Sequence, residues 1–339
     1  MHSSAHSRRR RVALAATAGL ATAGALVATA QASPPPASPP QVEALPSGIA
    51  APYLYLGWGN PPSATSVMSA TGIKQFTMAF MLSDGGCNPK WDSSRALTGG
   101  TDQSAINAIR AKGGDVTVSF GGWSGTKLEQ KCSSASALAG AYQKVINAYK
   151  LKSIDIDIEA DAFNSATVRQ RTVDALKIIK TNNSGVKVYI TFGTTPTGPD
   201  ANGKDLIKRG AAKGLNADAW AIMPFDYDKG AVDMAATTKS AVDGLKSAVA
   251  GAYGLSSDAA YRKVGFSSMN GKTDSAGETV TLNNFKSMIS YAQSHHLARV
   301  SFWSVNRDRK CGSGTDADAC SGISQNAYDF TKALAIYTG

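Results

Sequence analysis

Hydrophobic and polar residues follow two distinct patterns along the chain from position 53 onward. Short runs rich in β-branched and aromatic residues are typical of buried strands, whereas longer runs with apolar residues three or four positions apart are typical of amphipathic helices. The short runs predict eight strands, at residues 53–58, 75–82, 115–120, 153–159, 186–192, 219–225, 263–267 and 299–303. The longer runs predict helices near residues 102–112, 133–150, 165–181, 203–213, 231–250, 281–296 and 324–336, with a shorter one at 64–71.

Eight strands, each followed by a helix, predict an α/β fold, a (β/α)8 TIM barrel that forms a single domain over residues 49–339. A doubly wound open sheet is the alternative, and it is disfavoured because no Gly-x-Gly-x-x-Gly turn follows the first strand. Thr101-Asp102, Ser133 and Thr281 are predicted start signals for three of the helices. In such a barrel the active site lies at the carboxyl ends of the strands.

The fourth predicted strand, residues 153–159, reads Ser-Ile-Asp-Ile-Asp-Ile-Glu. Successive strand residues point to opposite faces, so the isoleucines enter an apolar layer while Asp155, Asp157 and Glu159 share the other face. Carboxylates crowded in this way repel one another and raise at least one pKa. The pattern therefore indicates a poised general acid, and a solvent-exposed strand face with coincidental spacing is the other interpretation.

The spacing of these carboxylates limits the chemistry that they can perform. Same-face strand residues are about 6.6 Å apart, so Asp157 and Glu159 approach a bound sugar from one side and cannot supply a nucleophile on the other. A 2-acetamido group of the substrate can attack instead. Glu159 is then the general acid and later the base, Asp157 orients the acetamido group, and Asp155 shares a proton with Asp157.

The first 32 residues are predicted to be an export signal. Four arginines at positions 8–11 precede a run of small and apolar residues at 12–29, and an Ala-Gln-Ala cleavage site follows. Both Sec export and twin-arginine export fit this leader. Residues 33–48, rich in proline and serine, are predicted to be an extended linker. The protein is therefore predicted to be secreted to the extracellular space, with no membrane partner.

Charge and cysteine content exclude several classes of function. The leader holds four of the 35 basic residues, which leaves 31 against 25 acidic ones, a net charge of about +6. This modest balance, without a block of Lys or Arg, predicts no nucleic-acid partner. Four cysteines in an exported chain predict two disulfides rather than a zinc site, since no Cys-x-x-Cys pair occurs. No metal or cofactor is predicted.

The four cysteines allow three different pairings. Cys311–Cys320 would close a short loop rich in Gly, Ser and Asp, and Cys87–Cys132 would then join two loops that follow neighbouring predicted strands. The sequence leaves the choice among the three pairings open.

Four motifs occur in order on the third, fourth, sixth and eighth predicted strands. They are Ser-Phe-Gly-Gly at 119–122, Asp-x-Asp-x-Glu at 155–159, Met-Pro-Phe-Asp at 223–226 and Phe-Trp at 302–303. In this order they resemble the motifs of family 18 glycoside hydrolases, the chitinases, over nearly all of the chain beyond the leader. The resemblance implies a (β/α)8 barrel that hydrolyses β-1,4-linked N-acetylglucosamine with retention, through an oxazolinium intermediate formed by the substrate.

The resemblance also implies roles for individual residues of these motifs. Glu159 is the acid/base, Asp157 is the partner of the acetamido group, and Asp155 supports Asp157. Met223 and Asp226 line the pocket of the −1 sugar, the sugar on the non-reducing side of the cleaved bond.

Aromatic residues complete the predicted substrate site. By the same resemblance, Trp303 forms the floor of the pocket and stacks on the apolar face of the sugar. The family commonly has tyrosine where this chain has Phe225, so we expect Tyr227 to supply the missing hydroxyl group. Gly122 is a further candidate for substrate contact. Trp58, Trp91 and Trp123 are candidates as well, and the indole ring of each either stacks on an outer sugar or lies buried under a loop.

The connection after the seventh predicted strand, residues 268–280, has no room for the α+β insertion that many chitinases carry there. We therefore expect an open groove and endo-acting, weakly processive cleavage of chitin and chitooligosaccharides. The sequence shows no clear oligomer interface, so a monomer is the default expectation. Two alternatives remain. One is an endo-β-N-acetylglucosaminidase that acts on N-glycans, and the other is a non-catalytic chitin-binding barrel, which the presence of Glu159 argues against.

Overall fold

The computed structural model of this protein describes residues 48–313 and 316–339. The leader predicted at 1–32 lies outside the described residues, as does the linker predicted at 33–48 apart from Gly48. Both therefore stay predictions. The described residues all belong to one compact unit, which runs from Pro46 to Gly339.

The described residues contain twelve strands and eleven α-helices. The strands are β1 (Ile49–Ala50), β2 (Tyr53–Tyr55), β3 (Gln75–Ser83), β4 (Pro89–Trp91), β5 (Asp115–Gly121), β6 (Ser153–Asp157), β7 (Lys187–Gly193), β8 (Ala219–Met223), β9 (Val264–Met269), β10 (Gly271–Lys272), β11 (Thr279–Val280) and β12 (Arg299–Trp303). The helices are α1 (Ala64–Thr71), α2 (Thr101–Ala111), α3 (Leu128–Lys131), α4 (Ala135–Tyr149), α5 (Ala160–Asn164), α6 (Ala166–Asn182), α7 (Ala201–Ala212), α8 (Met234–Tyr253), α9 (Ser257–Tyr261), α10 (Leu282–Ser294) and α11 (Asp329–Ala335).

The main sheet closes on itself through the first stretch of described chain. Its strand order is β1-β12-β9-β8-β7-β6-β5-β3-β2, so it begins and ends with two consecutive segments. Ile49 pairs with Arg299 on β12, and Tyr53 pairs with Thr77 on β3, both in parallel register. Counting β1 and β2 as one interrupted strand gives eight parallel strands. The predicted (β/α)8 barrel is confirmed, and the doubly wound alternative is wrong.

Strand β6 divides its side chains as the alternating pattern predicts. Ile154, Ile156 and Ile158 are buried in the hydrophobic layer between the strands and the surrounding helices. Asp155 and Asp157 are also buried, on the opposite face that points into the barrel. The apolar layer therefore fixes the direction in which the two carboxylates point.

The ends of several elements differ from the predicted ones. Strand β6 ends at Asp157, and Glu159 is the extended N-cap residue of the short helix α5, which the sequence pattern did not predict. Ser134, not Ser133, caps α4, because its side chain accepts the backbone N–H of Ala137. Thr281 caps α10 in a reciprocal capping box, as expected. Glu159 thus lies just beyond the strand, at the mouth of the barrel.

Two disulfides join Cys87 to Cys132 and Cys311 to Cys320, which resolves the pairing that the sequence left open. The first ties the loop before β4 to the end of α3, and the second closes a loop after β12. Among the described residues, no helix combines the length and apolar character needed to cross a membrane.

Candidate active site

The side chains of the candidate site gather where the barrel strands end. Glu159 follows β6, Gly122 follows β5, Met223 ends β8, and Trp303 ends β12. Since the strands are parallel, their carboxyl ends meet at one rim of the barrel. The structure therefore brings together the motif residues that the sequence predicted to share a site.

Asp155 lies deepest in the barrel and is surrounded by donors. Its carboxylate accepts hydrogen bonds from Tyr53 Oη (2.8 Å), Ser119 Oγ (2.7 Å) and Thr191 Oγ1 (2.7 Å). It also forms a fully buried ion pair with the guanidinium of Arg299. No hydrogen bond within the described part of the chain joins it to Asp157, so the predicted sharing of a proton between the two stays a prediction.

Asp157 lies one step closer to the mouth and has fewer partners. Its Oδ2 atom is 3.5 Å from Tyr53 Oη, and its Oδ1 atom is buried without any hydrogen-bond partner among the described residues. Burial raises its pKa well above the usual range, and the charges of Glu159 and Asp155 raise it further. These effects favour the protonated form of Asp157, and one of its two oxygens has no hydrogen-bond partner among the described residues.

Glu159 is the outermost acid of the row. Burial raises its pKa to about 7, opposed by the positive charge of Lys127 and reinforced by the negative charge of Asp226. A carboxyl group with this pKa holds its proton on about half of the molecules at neutral pH, so it can both give and take a proton there.

Lys127 is a site residue that sequence reasoning missed. Its side chain is only 4% exposed, and its Nζ atom donates to the backbone oxygen of Ser124. Burial lowers its pKa, and the charges of Glu159 and Asp157 oppose that shift. Nothing in the sequence marks this lysine, because Lys127 directly precedes α3, at a loop position that could equally have faced solvent.

Two glycines let strand β5 approach β6 closely. Gly121 has a φ of +102°, and a Cβ atom there would lie 2.1 Å from the backbone oxygen of Asp157. Gly122 has a φ of +83°, donates its N–H to the same oxygen at 2.9 Å, and leaves room for the ring of Phe80. The Gly-Gly pair therefore fixes the backbone that carries Asp157, and a direct substrate contact of Gly122 stays a prediction.

An aromatic cluster lies beside the acids. The ring of Trp303 stacks on Phe80 with 5.5 Å between ring centroids and 13° between planes. Tyr53 and Tyr55 pack against Trp303 at 5.9 and 6.1 Å. The sequence reasoning identified Trp303 but not the other three rings. The alternation of Tyr53 and Tyr55 around a buried leucine is the signal that could have revealed the two tyrosines.

The remaining tryptophan candidates differ in their exposure. Trp123 is 74% exposed and Trp58 is 45% exposed, so both can meet solvent or a ligand at the mouth of the barrel. Trp91 is fully buried, and its Nε1 atom donates to Tyr149 Oη at 2.8 Å. Of the two alternatives for Trp91, burial is therefore the one that the structure shows, because its strand β4 folds back along β3.

The segment after β8 carries the other predicted contacts. Asp226 has a φ of +53°, and its Oδ1 atom accepts the N–H of Ser275 at 2.9 Å. Tyr227 is 7% exposed, and its backbone N–H donates to Glu278 Oε1 at 2.7 Å. The hydroxyl group of Tyr227 is buried without a hydrogen-bond partner among the described residues, and burial raises its pKa. A buried hydroxyl group without a partner is uncommon in folded proteins, so this position departs from the usual pattern of satisfied polar groups.

The described ranges contain no group of three or more His, Cys, Asp or Glu side chains arranged to hold a metal ion.

Two relatives found by sequence comparison are both named as chitinases. The probable bifunctional chitinase/lysozyme of Escherichia coli (strain K12) is 26% identical over 315 residues, which covers 87% of this chain and 35% of the relative. Endochitinase 11 of Metarhizium anisopliae is 26% identical over 281 residues, which covers 78% of this chain and 53% of the relative. The chain thus spans about a third to a half of the length of these relatives. No family model matches it.

The fold comparison agrees with the sequence comparison. The crystal structure of the catalytic domain of a hyperthermophilic chitinase from Pyrococcus furiosus has a TM-score of 0.75 and 27% sequence identity. The match covers 85% of this chain and 93% of that one. The resemblance to family 18 chitinases is confirmed. These chitinase relatives are glycoside hydrolases, and the ordered motifs of this chain lie on the barrel strands where the resemblance expects them.

Proposed function

We propose that this protein is an exported chitinase that cleaves β-1,4 linkages between N-acetylglucosamine units with retention. The observation that carries the proposal is the pair formed by Asp157 and Glu159. Both are carboxyl groups with raised pKa values, at the mouth of a barrel and beside an aromatic floor. Export is proposed from the leader at 1–32, and the monomeric state remains part of the proposal.

In the first proposed step, Glu159 donates its proton to the glycosidic oxygen as the bond from that oxygen to C1 breaks. The carbonyl oxygen of the substrate's own 2-acetamido group forms a bond to C1 from the opposite face, which gives an oxazolinium ion. Asp157 receives the acetamido N–H on its free Oδ1 atom and offsets the positive charge that grows on the nitrogen. In this proposal the proton of Asp157 passes to the carboxylate of Asp155, the next acid on the same face of β6, and returns to Asp157 when the acetamido group is restored.

In the second proposed step, water attacks C1 from the face that the leaving group vacated. Glu159, now ionised, takes a proton from this water, and the bond between C1 and the acetamido oxygen breaks. The acetamido group is restored and the product keeps the β configuration. A pKa of about 7 suits Glu159 to both proton transfers.

Endo-acting cleavage is proposed from the short connection between β9 and α10. Only the small strands β10 and β11 occupy this connection, where a large insertion would wall off the groove. A long polymer could then enter along its length rather than by its end. The exposed rings of Trp58 and Trp123 are proposed to stack on outer sugars of such a chain.

The products released from a chitin hexamer test the proposal. We expect internal cleavage into dimers, trimers and tetramers, whose new reducing ends are initially β when followed by NMR. A parallel digest of an N-glycosylated protein should release little glycan. Release of glycan without cleavage of the hexamer would identify an endo-β-N-acetylglucosaminidase instead, and binding of the hexamer without any cleavage would identify a non-catalytic barrel.

A further inference from the structure

The short strands β10 and β11 form a hairpin that packs against the segment after β8. Glu278, at the end of the turn between these strands, is only 1% exposed. Its Oε1 atom accepts the backbone N–H of Tyr227 at 2.7 Å, and its Oε2 atom lies 3.4 Å from Thr273 Oγ1. A buried carboxyl group of this kind is costly unless its hydrogen bonds are well made. Its main partner is the backbone of a residue predicted to bind substrate.

A second residue of the same turn holds the neighbouring positions. The N–H of Ser275 donates to Asp226 Oδ1 at 2.9 Å, and its hydroxyl group donates to Asp228 Oδ1 at 2.6 Å. Asp226 and Asp228 have φ angles of +53° and +55°, a conformation that residues other than glycine rarely adopt. The turn therefore stabilises an unfavourable backbone conformation around Tyr227.

Residues that follow β12 in the chain hold the hairpin in place. The N–H of Lys272 donates to the backbone oxygen of Ser321 at 2.8 Å, and Arg307 donates to the backbone oxygens of Asn270 and Lys272. A Cβ atom on Gly271 would lie 1.9 Å from the oxygen of Ser321, so only glycine permits this approach. The hairpin thus connects two fixed segments and has little freedom to move.

We propose that Glu278 is a positioning residue, which holds Asp226 and Tyr227 where they receive the acetamido group of the −1 sugar. This inference rests on the proposed function, since it requires a substrate that carries an acetamido group. Glu278 contacts no substrate atom in this proposal. It acts through the backbone of Tyr227, and the hydroxyl group of Tyr227, which is buried and unpaired, is directed by that backbone.

The test compares three substitutions at position 278 in the full-length protein. Glu278→Ala removes the acceptor of the Tyr227 N–H. Glu278→Asp shortens the side chain by one methylene group, which moves the acceptor away from that N–H while keeping the charge. Glu278→Gln keeps a carbonyl oxygen at the same place and serves as the conservative rescue. Ala276→Ser, at an exposed position of the same turn, is the matched control.

Two quantities are measured for each variant: kcat/KM on the chitin hexamer, and the inhibition constant of a thiazoline analogue of the oxazolinium ion. Misplacement of a binding group by about 1 Å can cost about a hundredfold in rate. We expect both quantities to worsen by about ten- to a hundredfold in Glu278→Ala, or in Glu278→Asp should the alanine variant fail to fold. Glu278→Gln and Ala276→Ser should stay within about threefold of the wild type.

The thiazoline separates positioning from general stability, because it binds through the groups that recognise the acetamido function. A folded Glu278→Ala or Glu278→Asp variant with wild-type values for both quantities would overturn the inference alone. So would a loss in Glu278→Gln as large as the loss in Glu278→Ala, since the acceptor would then be irrelevant. A wild-type protein that neither cleaves the hexamer nor binds the thiazoline would overturn the proposed function and this inference together.

Discussion

Asp155 and Asp157 occupy the same face of the same strand, and the contrast between them explains the site. Asp155 accepts hydrogen bonds from three hydroxyl groups and forms an ion pair with Arg299. Asp157 has a single distant contact with Tyr53 and one oxygen without a partner. The barrel thus supplies every partner of Asp155, the deep acid, and leaves Asp157 with one oxygen unpaired. Depth along the strand, rather than residue type, separates a supporting carboxylate from one that awaits a ligand.

Glu159 lies beyond both acids, and its removal should have the largest effect. Glu159→Gln keeps the size of the side chain but cannot transfer a proton. We expect kcat on the chitin hexamer to fall by about a hundred- to ten-thousandfold, with the affinity for the hexamer nearly unchanged. Stopped assays for kcat and calorimetry for binding would measure the two. Substantial turnover in this variant would mean that another group supplies the proton.

Breaking the ion pair of the deep acid should affect the stability of the fold. Arg299→Ala leaves the buried charge of Asp155 without its cation, so we expect the free energy of unfolding to fall by about 3–5 kcal/mol. Asp157→Asn is the matched comparison on the same strand, and it should reduce turnover while changing stability much less. Urea denaturation of both variants at pH 7 would measure the difference. Equal destabilisation by the two substitutions would contradict the contrast between the acids.

Lys127 offers a smaller and more specific test, based on the pH profile. The groups whose charges act on Glu159 are Lys127 and Asp226, and Lys127 also faces Asp157. The positive charge of Lys127 favours the ionised form of Glu159, so its loss in Lys127→Met should raise the pKa of Glu159. The alkaline limb of kcat/KM, expected near pH 7, should then move up by about one pH unit.

Two control variants accompany that measurement. Lys127→Arg keeps the charge, and Lys131→Met removes a charge from an exposed position at the end of α3. Neither should move the alkaline limb appreciably. A shift to lower pH in Lys127→Met, or an equal shift in Lys131→Met, would show that Lys127 does not act on Glu159 in this way.

The fold could be predicted from sequence because both layers of the barrel have a simple periodicity. The isoleucines of β6 must enter the apolar layer, and this alone directs Asp155 and Asp157 inward. The charged Arg299 at the start of a buried strand was a usable signal that the prediction overlooked. A cation inside a closed sheet needs an anion, and the Asp-x-Asp-x-Glu motif supplies it.

Other parts of the site could not be predicted, because they depend on contacts between segments far apart in sequence. Lys127 is buried only because α3 packs beside the barrel mouth, where the disulfide of Cys132 anchors it. The sequence left open whether Trp91 meets sugars or lies buried, and its burial follows from the return of β4 along β3. Glu278 and Tyr227 meet across 51 residues. Local patterns carry no information about such pairings.

The comparison of two hexamers, one of N-acetylglucosamine and one of glucosamine, tests the central claim most directly. The claim is that the substrate's own acetamido group attacks C1 and that Asp157 receives the N–H of this group. We predict rapid cleavage of the acetylated hexamer with initial release of the β anomer, and no detectable cleavage of the deacetylated one. Cleavage of the two hexamers at similar rates would require a nucleophile from the protein and would contradict this account.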